Sequence, residues 1–324
     1  MKFFMILLAL VCLVAIGELA IASRLSNTHE WVEYKKKYGK VYTTPEEDAK
    51  RFSLFMASKE MIQKHNTNDG AGYKMGLSQL SDWTHEELAL LKGMQYDSAA
   101  QRRFEGGGGA SANEQSRLRV VRETIRDPPL PAQVDWRKIA PNRVSPVKDQ
   151  GKCASDWAFA TTGLLEAVPG LHNRKAKLIP LSEQQLIDCS ESNKGCNGGT
   201  ISDALMDLIK TGIESEQDYP YTGAASKTCQ FNKDKSVMKV YGPAEIYDQP
   251  DSALKGLSFL YGPVAIGVHV NGNFTHYKSG IFNDQTCAGA GGKLQNPDHA
   301  ALLVGYGTDP NEGDYWLVKN SWSS

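Results

Sequence analysis

Residues 150–159 read Gln-Gly-Lys-Cys-Ala-Ser-Asp-Trp-Ala-Phe, and no other stretch limits the fold of this chain so tightly. Gly151 and the small residues Ala154 and Ser155 give way to Trp157, Ala158 and Phe159, which open an apolar run reaching Leu164 and Leu165. The pattern predicts a tight loop feeding the N-terminus of a buried helix. The first turn of such a helix carries unpaired N–H groups and the positive end of the helix dipole, so it favours an anion. Reactive thiolates are stabilised at such places. Here the position holds Asp156.

The stretch resembles the nucleophile loop of papain-family cysteine peptidases of the cathepsin L-like branch, which reads Q-G-x-C-G-S-C-W-A-F. Ala154 stands for the glycine and Asp156 for the catalytic cysteine. The resemblance therefore implies a peptidase scaffold without its attacking sulfur. A thiol peptidase also needs an imidazole, a group that orients it, and donors for the oxyanion. The resemblance supplies His299 in Asp298-His299-Ala300-Ala301-Leu302 and Asn320 in Lys319-Asn320-Ser321-Trp322. It gives the oxyanion role to the Gln150 amide and the Asp156 N–H, with Trp322 shielding the His–Asn hydrogen bond. Taken singly, a histidine before an apolar strand is more often structural, and Asn320 and Gln150 read as turn and loop residues. Their joint occurrence, in order and context, carries the family reading. His29, His65, His85, His172, His269 and His276 lack such context and read as surface or core residues. Asp156 is expected to pair, as an anion, with an imidazolium at His299. A carboxylate is a poor acylating nucleophile, and loss of the nucleophile costs orders of magnitude in rate. Ser155 is one residue off register and is no substitute.

Upstream, Asn27 to Met94 reads as helical. Trp31, Tyr34 and Tyr38 recur at helical spacing, and a second amphipathic stretch from Glu46 to His65 turns Phe52, Phe55 and Ile62 inward. Thr44-Pro45-Glu46-Glu47 is a start signal: a hydroxyl cap, a proline at the first position, then acids. Glu47, Arg51, Leu54, Phe55, Ile62 and Asn66 resemble the Glu-Arg-Phe-Asn-Ile-Asn pattern of cathepsin L-type propeptides, with Ser58 at a usual asparagine. Gly76, Ser78, Leu80 and Asp82 resemble the shorter Gly-Asn-Phe-Asp motif. Together they imply an inhibitory prodomain over 27–95 whose following segment runs through the cleft. Residues 96–129, with the run Gly106 to Gly109 and Pro128-Pro129, read as a linker open to nicking. Leu130 to Arg137 resembles a mature N-terminus.

Residues 1–22 have the form of a secretory signal peptide: Lys2, an apolar run from Phe3 to Ile16, then Ala20 and Ala22. A membrane anchor is the alternative, but the apolar run is short for a span. The expected address is the secretory pathway, secreted or lysosomal. Five of the six cysteines follow this segment, so disulfides with one thiol left over are expected. Spacing does not fix the pairing; the family resemblance implies Cys153–Cys196 and Cys189–Cys229. It also implies a distal partner for Cys287, so the domain over 130–324 is expected to be C-terminally incomplete. Gly195 to Gly199 is a glycine-rich turn, and the resemblance makes Gly198 and Gly199 a wall that binds extended peptide. Helical signals from Asp156 to His172, after Ser182, and over Ile201–Lys210 precede β-rich runs at Pro263–Val270, Ala300–Gly307 and Tyr315–Lys319. The expected fold is α+β, a papain-like pair of helical and barrel-like lobes behind a helical prodomain. Asn273-Phe274-Thr275 is a glycosylation sequon.

The formal charge of −1 gives no electrostatic reason for a nucleic-acid or membrane partner. No cofactor or metal is expected, and a monomer is. The favoured reading is a cathepsin L-like homologue that has lost peptidase activity but holds extended peptides, or inhibits active relatives through its prodomain. The alternatives are an endopeptidase with residual or altered hydrolysis, and a decayed gene product.

Overall fold

The computed structural model describes residues 25–68, 70, 72–96, 130–139, 143–173, 175–241, 251–287 and 295–323. The signal peptide expected at 1–22 and all of the linker expected at 96–129 except Tyr96 lie outside the described residues. The chain divides into two compact units. One runs to His85 and takes in Gly272–Asn283; the other comprises Glu86–Asn271 and Asp284–Ser324. The boundary thus falls ten residues short of the prodomain limit read from sequence, because residues 86–96 pack with the second unit.

In the first unit, helix α1 (residues 25–37) and helix α2 (Pro45–Asn66) bury Trp31, Tyr34 and Phe55 between them, with Tyr38, Tyr42, Phe52, Met56 and Leu77 packed around. Thr44 caps α2 by accepting the Glu47 N–H at 3.2 Å, and Pro45 sits where no N–H is needed. Glu47, Arg51, Ser58 and Asp82 meet in polar contacts around residues 81 and 82. Arg51 Nε pairs with Glu47 at 2.6 Å while its Nη1 donates to the Asp82 carbonyl at 2.9 Å. Ser58 donates to the Ser81 carbonyl at 2.8 Å. Buried Asp82 accepts from the hydroxyls of Tyr34 and Tyr42 and lies 3.2 Å from Lys40 Nζ. Asn66 holds strand β1 (Tyr73–Met75) by bonding both the N–H and the C=O of Met75 at 2.9 Å. The polar residues shared with propeptides are therefore ones that satisfy buried or part-buried polar groups, where a missing partner costs most, while Phe55 and Ile62 lie in apolar cores.

In the second unit the short helix α3 (His85–Ala89), shared at the boundary, leads to strand β2 (Val134–Asp135) and then to α4 (Asp156–His172), α5 (Glu183–Cys189) and α6 (Ile201–Thr211). α4 is buried along most of its length, and Trp157, Ala158 and Leu165 join Leu186, Leu208 and Ile213 in one core. Strands β3 (Ile213–Glu214) and β4 (Ser236–Met238) pair at its edge. Ser182 and Thr200 cap α5 and α6, each accepting the N–H three residues on. Helix α7 (Asp251–Tyr261) precedes strand β5 (Val264–Val268). Strand β6 (Tyr277–Gly280) belongs to the first unit, antiparallel to β1. Strands β7 (His299–Asp309) and β8 (Gly313–Lys319) complete a four-stranded antiparallel sheet, β2-β7-β5 with β8 on β7. A second core of Val134, Trp136, Val144, Leu302, Val304 and Tyr306 lies on this sheet. Leu164 of α4 packs on both cores and Ala300 of β7 belongs to the first, so helices and sheet meet along α4.

Candidate active site

Asp156 opens α4 and His299 opens β7, and both are fully buried. The carboxylate spans the two elements. Oδ1 accepts the Trp157 N–H at 2.9 Å within its own helix. Oδ2 accepts the Ala300 N–H at 2.8 Å and lies 2.8 Å from His299 Nδ1. His299 is held on its other side by Asn320, which follows β8: Nε2 lies 2.9 Å from Asn320 Oδ1. The Ser321 N–H also donates to that Oδ1, at 2.7 Å, so oxygen rather than nitrogen faces the ring. Both ring nitrogens therefore meet acceptors, the hydrogen-bond pattern of an imidazolium. Trp322 covers the pair, its ring centre 4.8 Å from that of His299.

Gln150 is also fully buried, and its orientation is fixed by donors. Its Oε1 accepts from Ser321 Oγ at 2.7 Å and Trp322 Nε1 at 3.1 Å, which leaves Nε2 to donate to the carbonyls of Cys153 (3.0 Å) and Leu91 (3.3 Å). The Leu91 carbonyl is also 2.9 Å from His299 Nδ1. A peptide oxygen of the chain itself thus sits where two donors of the site converge.

The segment carrying that carbonyl continues along Gly199. The Gly199 N–H donates to the Gly93 carbonyl at 2.9 Å, and the Gln95 N–H donates to the Gly199 carbonyl at 2.8 Å. Gly198 has φ +101°, and a Cβ there would press on the Gly93 carbonyl. The glycine wall is fastened to the loop before α4: Cys153 is bonded to Cys196, and the Ala154 N–H donates to the Cys196 carbonyl at 3.2 Å. A second disulfide joins Cys189 to Cys229, and Cys287 is a free thiol. Ser155 points away from His299, its hydroxyl 3.0 Å from that of Tyr221.

Behind the site, Lys148 lies between Glu166 (3.1 Å) and Glu183 (2.6 Å), and Lys319, next to Asn320, donates to Ser145 at 2.7 Å. Burial pushes the Glu183 carboxyl up to about 7 against the pull of Lys148. Burial lowers Lys319.

Sequence reasoning named Gln150, Asp156, His299, Asn320 and Trp322, and the structure brings all five together. It also places Gly198 and Gly199 along a bound extended segment. Asn273 lies elsewhere, in the first unit, before a 3-10 turn whose Thr275 is buried. Leu91 and Ser321 were missed. The Leu91 contribution is a backbone oxygen, which no side chain announces, and Ser321 was read only as part of the Asn320 motif. Among the described residues no His, Cys, Asp and Glu group gathers as a metal site, and no helix is long and apolar enough to cross a membrane.

Comparison with known proteins matches residues 130–324 to the papain family cysteine protease domain and residues 31–88 to the cathepsin propeptide inhibitor domain (I29). A cathepsin L-like proteinase of Fasciola hepatica is 36% identical over 304 residues, 92% of this chain and 85% of that protein. Cathepsin L of Sarcophaga peregrina is 36% identical over 327 residues, 98% and 91% of the two chains. Among solved structures, procathepsin L 3 from the larval midgut of Tenebrio molitor superimposes with a TM-score of 0.74 at 32% identity, covering 91% of this chain and 89% of that one. The procathepsin L2 proteinase from the same tissue gives 0.77 at 30% identity, over 91% and 90%.

Proposed function

The chain belongs to the papain family of cysteine proteases, and from that premise we propose that it is a cathepsin L-like homologue that holds extended peptides without cutting them. One observation carries the reading: both oxygens of the carboxylate that stands in the nucleophile's place are already engaged. Asp156 Oδ1 is held by the Trp157 N–H, and Oδ2 by both the Ala300 N–H and His299. A carboxylate so placed is a strut between α4 and β7 and attacks amides poorly. The peptide-holding parts are in place: donors at Gln150 and His299, and a backbone edge at Gly199 already paired with an extended segment.

Its ligands are accordingly peptides or exposed protein segments. The match of residues 31–88 to the propeptide inhibitor domain supports a second role, inhibition of active relatives through the prodomain. The form of residues 1–22 supports routing into the secretory pathway.

Asp156→Cys restores the missing sulfur and is the direct test. After removal of the N-terminal part, Asp156→Cys should hydrolyse a peptide substrate at least about a thousandfold faster than the natural chain, and a thiol-alkylating reagent should abolish the gain. A natural chain as fast as Asp156→Cys and indifferent to that reagent overturns the proposal in favour of water activation by the Asp156–His299 pair.

A further inference from the structure

We propose that Asp298 is a specificity residue of this cleft and selects peptides in which a lysine is followed directly by a glycine. The inference rests on the peptide-holding reading above and names the ligand class. The occupant of the site shows the chemistry. Lys92, the neighbour of Leu91, places Nζ 2.8 Å from Asp298 Oδ2 and donates also to the Val270 carbonyl. The receptor side is built independently of the lysine. Asp298 Oδ1 accepts the Val270 N–H at 2.9 Å, its own N–H donates to the Val268 carbonyl at 3.1 Å, and the next residue is His299. His269 Nδ1 stands 3.4 Å from the same Oδ2 and borders the clamp. The carboxylate is therefore held in place by the end of β5, and little ordering remains to be done when an ammonium arrives.

Two features narrow the choice further. The ammonium meets Oδ2, while Oδ1 is held by the Val270 N–H. A single oxygen beside a carbonyl suits the compact ammonium of lysine better than the two-pronged guanidinium of arginine. Both charges are about one-third exposed, at 32% for Lys92 and 30% for Asp298, so water screens them less than it would a fully exposed pair.

The glycine requirement comes first from the Ala154 carbonyl and then from position 156. A Cβ on Gly93 would overlap the Ala154 carbonyl and Asp156 Oδ1. A cysteine side chain ends in one heavy atom and has no counterpart to that second carboxylate oxygen. Asp156 Oδ1 thus adds to a floor that the Ala154 carbonyl already closes to a side chain where the ligand chain crosses it. Register is fixed on both sides of the pair, at Leu91 by Gln150 and His299, and at Gly93 and Gln95 by Gly199.

The first measurement is amide hydrogen exchange on the full chain. The Gln95 and Gly199 amides report whether the Leu91–Gln95 segment is seated. Asp298→Asn and Lys92→Met, each nearly isosteric, should speed exchange at both amides about tenfold, and the double variant should add nothing to either. Amides of β7 should be unaffected. The second measurement uses Gly93→Ala, which displaces the segment. This full chain should bind labelled Leu-Lys-Gly-Met-Gln about tenfold tighter than Leu-Met-Gly-Met-Gln or Leu-Lys-Ala-Met-Gln, a lysine preference that Asp298→Asn removes. Unchanged exchange in Asp298→Asn, or equal affinity for the lysine and methionine peptides, overturns the proposal while leaving the absence of catalysis intact. Cleavage of these peptides by the natural chain overturns the inactive reading and leaves the lysine preference standing. Should Gly93→Ala not fold, the exchange measurement on the isosteric variants decides alone.

Discussion

At position 156 sulfur and carboxylate differ first in how many hydrogen bonds each can hold. A thiolate offers one diffuse acceptor; the Asp156 carboxylate takes three directed partners from two elements. Removing it should cost more than a surface charge would, because the Ala300 N–H is then left buried without its acceptor and the His299 ring loses its charged neighbour. Asp156→Ala is expected to lower unfolding free energy by about 3–5 kcal/mol, read from urea titration, and Asp156→Asn by clearly less, since an amide oxygen remains. Gln150→Ala should act differently: Ser321 Oγ and Trp322 Nε1 lose their shared acceptor. Near-ultraviolet circular dichroism of Trp322 should change, and stability should fall by about 1–3 kcal/mol. At this scale the letters were informative, because each of these side chains has a chemistry of its own. The Leu91 carbonyl was invisible because every residue has one.

Element by element, legibility followed local signals. α2, α4, α5 and α6 carry caps, proline placement or apolar periodicity, and their starts fall where those signals stand. The pairing of β1 with β6 could not be read, since three residues cannot show a period and β6 is exposed throughout. That pairing brings His276 against the prodomain network, its Nδ1 3.4 Å from Ser81 Oγ and its carbonyl accepting the Gly76 N–H at 2.8 Å. Burial depresses the His276 imidazole from 6.5 to about 4. The unfolded chain then binds a proton that the folded one refuses, so stability from this group is complete above pH 6.5 and falls as pH drops towards 4. The full effect is about 3 kcal/mol. Exchange protection of the Met75 and Gly76 amides should decline over that interval, and His276→Gln should flatten the decline.

Across the whole molecule the two units should answer acid in opposite senses. Glu183, raised by burial from 4.5 to about 7, binds a proton more readily folded than unfolded. Its contribution to the second unit is present below pH 4.5 and is lost as pH rises through 7. Between those limits acidification should loosen the first unit through His276 while sparing the second, and exchange protection followed unit by unit checks it. Protection that falls equally in both contradicts it. The family architecture follows from motifs spread over most of the chain, whereas the proposed loss of cleavage rests on one side chain, Asp156. The most direct measurement of that dependence follows one labelled peptide in a single sample of the processed natural chain, by anisotropy for binding and by mass spectrometry for cleavage. The account predicts saturable binding and intact peptide over a period in which Asp156→Cys consumes all of it. Cleavage in proportion to the natural chain added, abolished by His299→Ala, would contradict it.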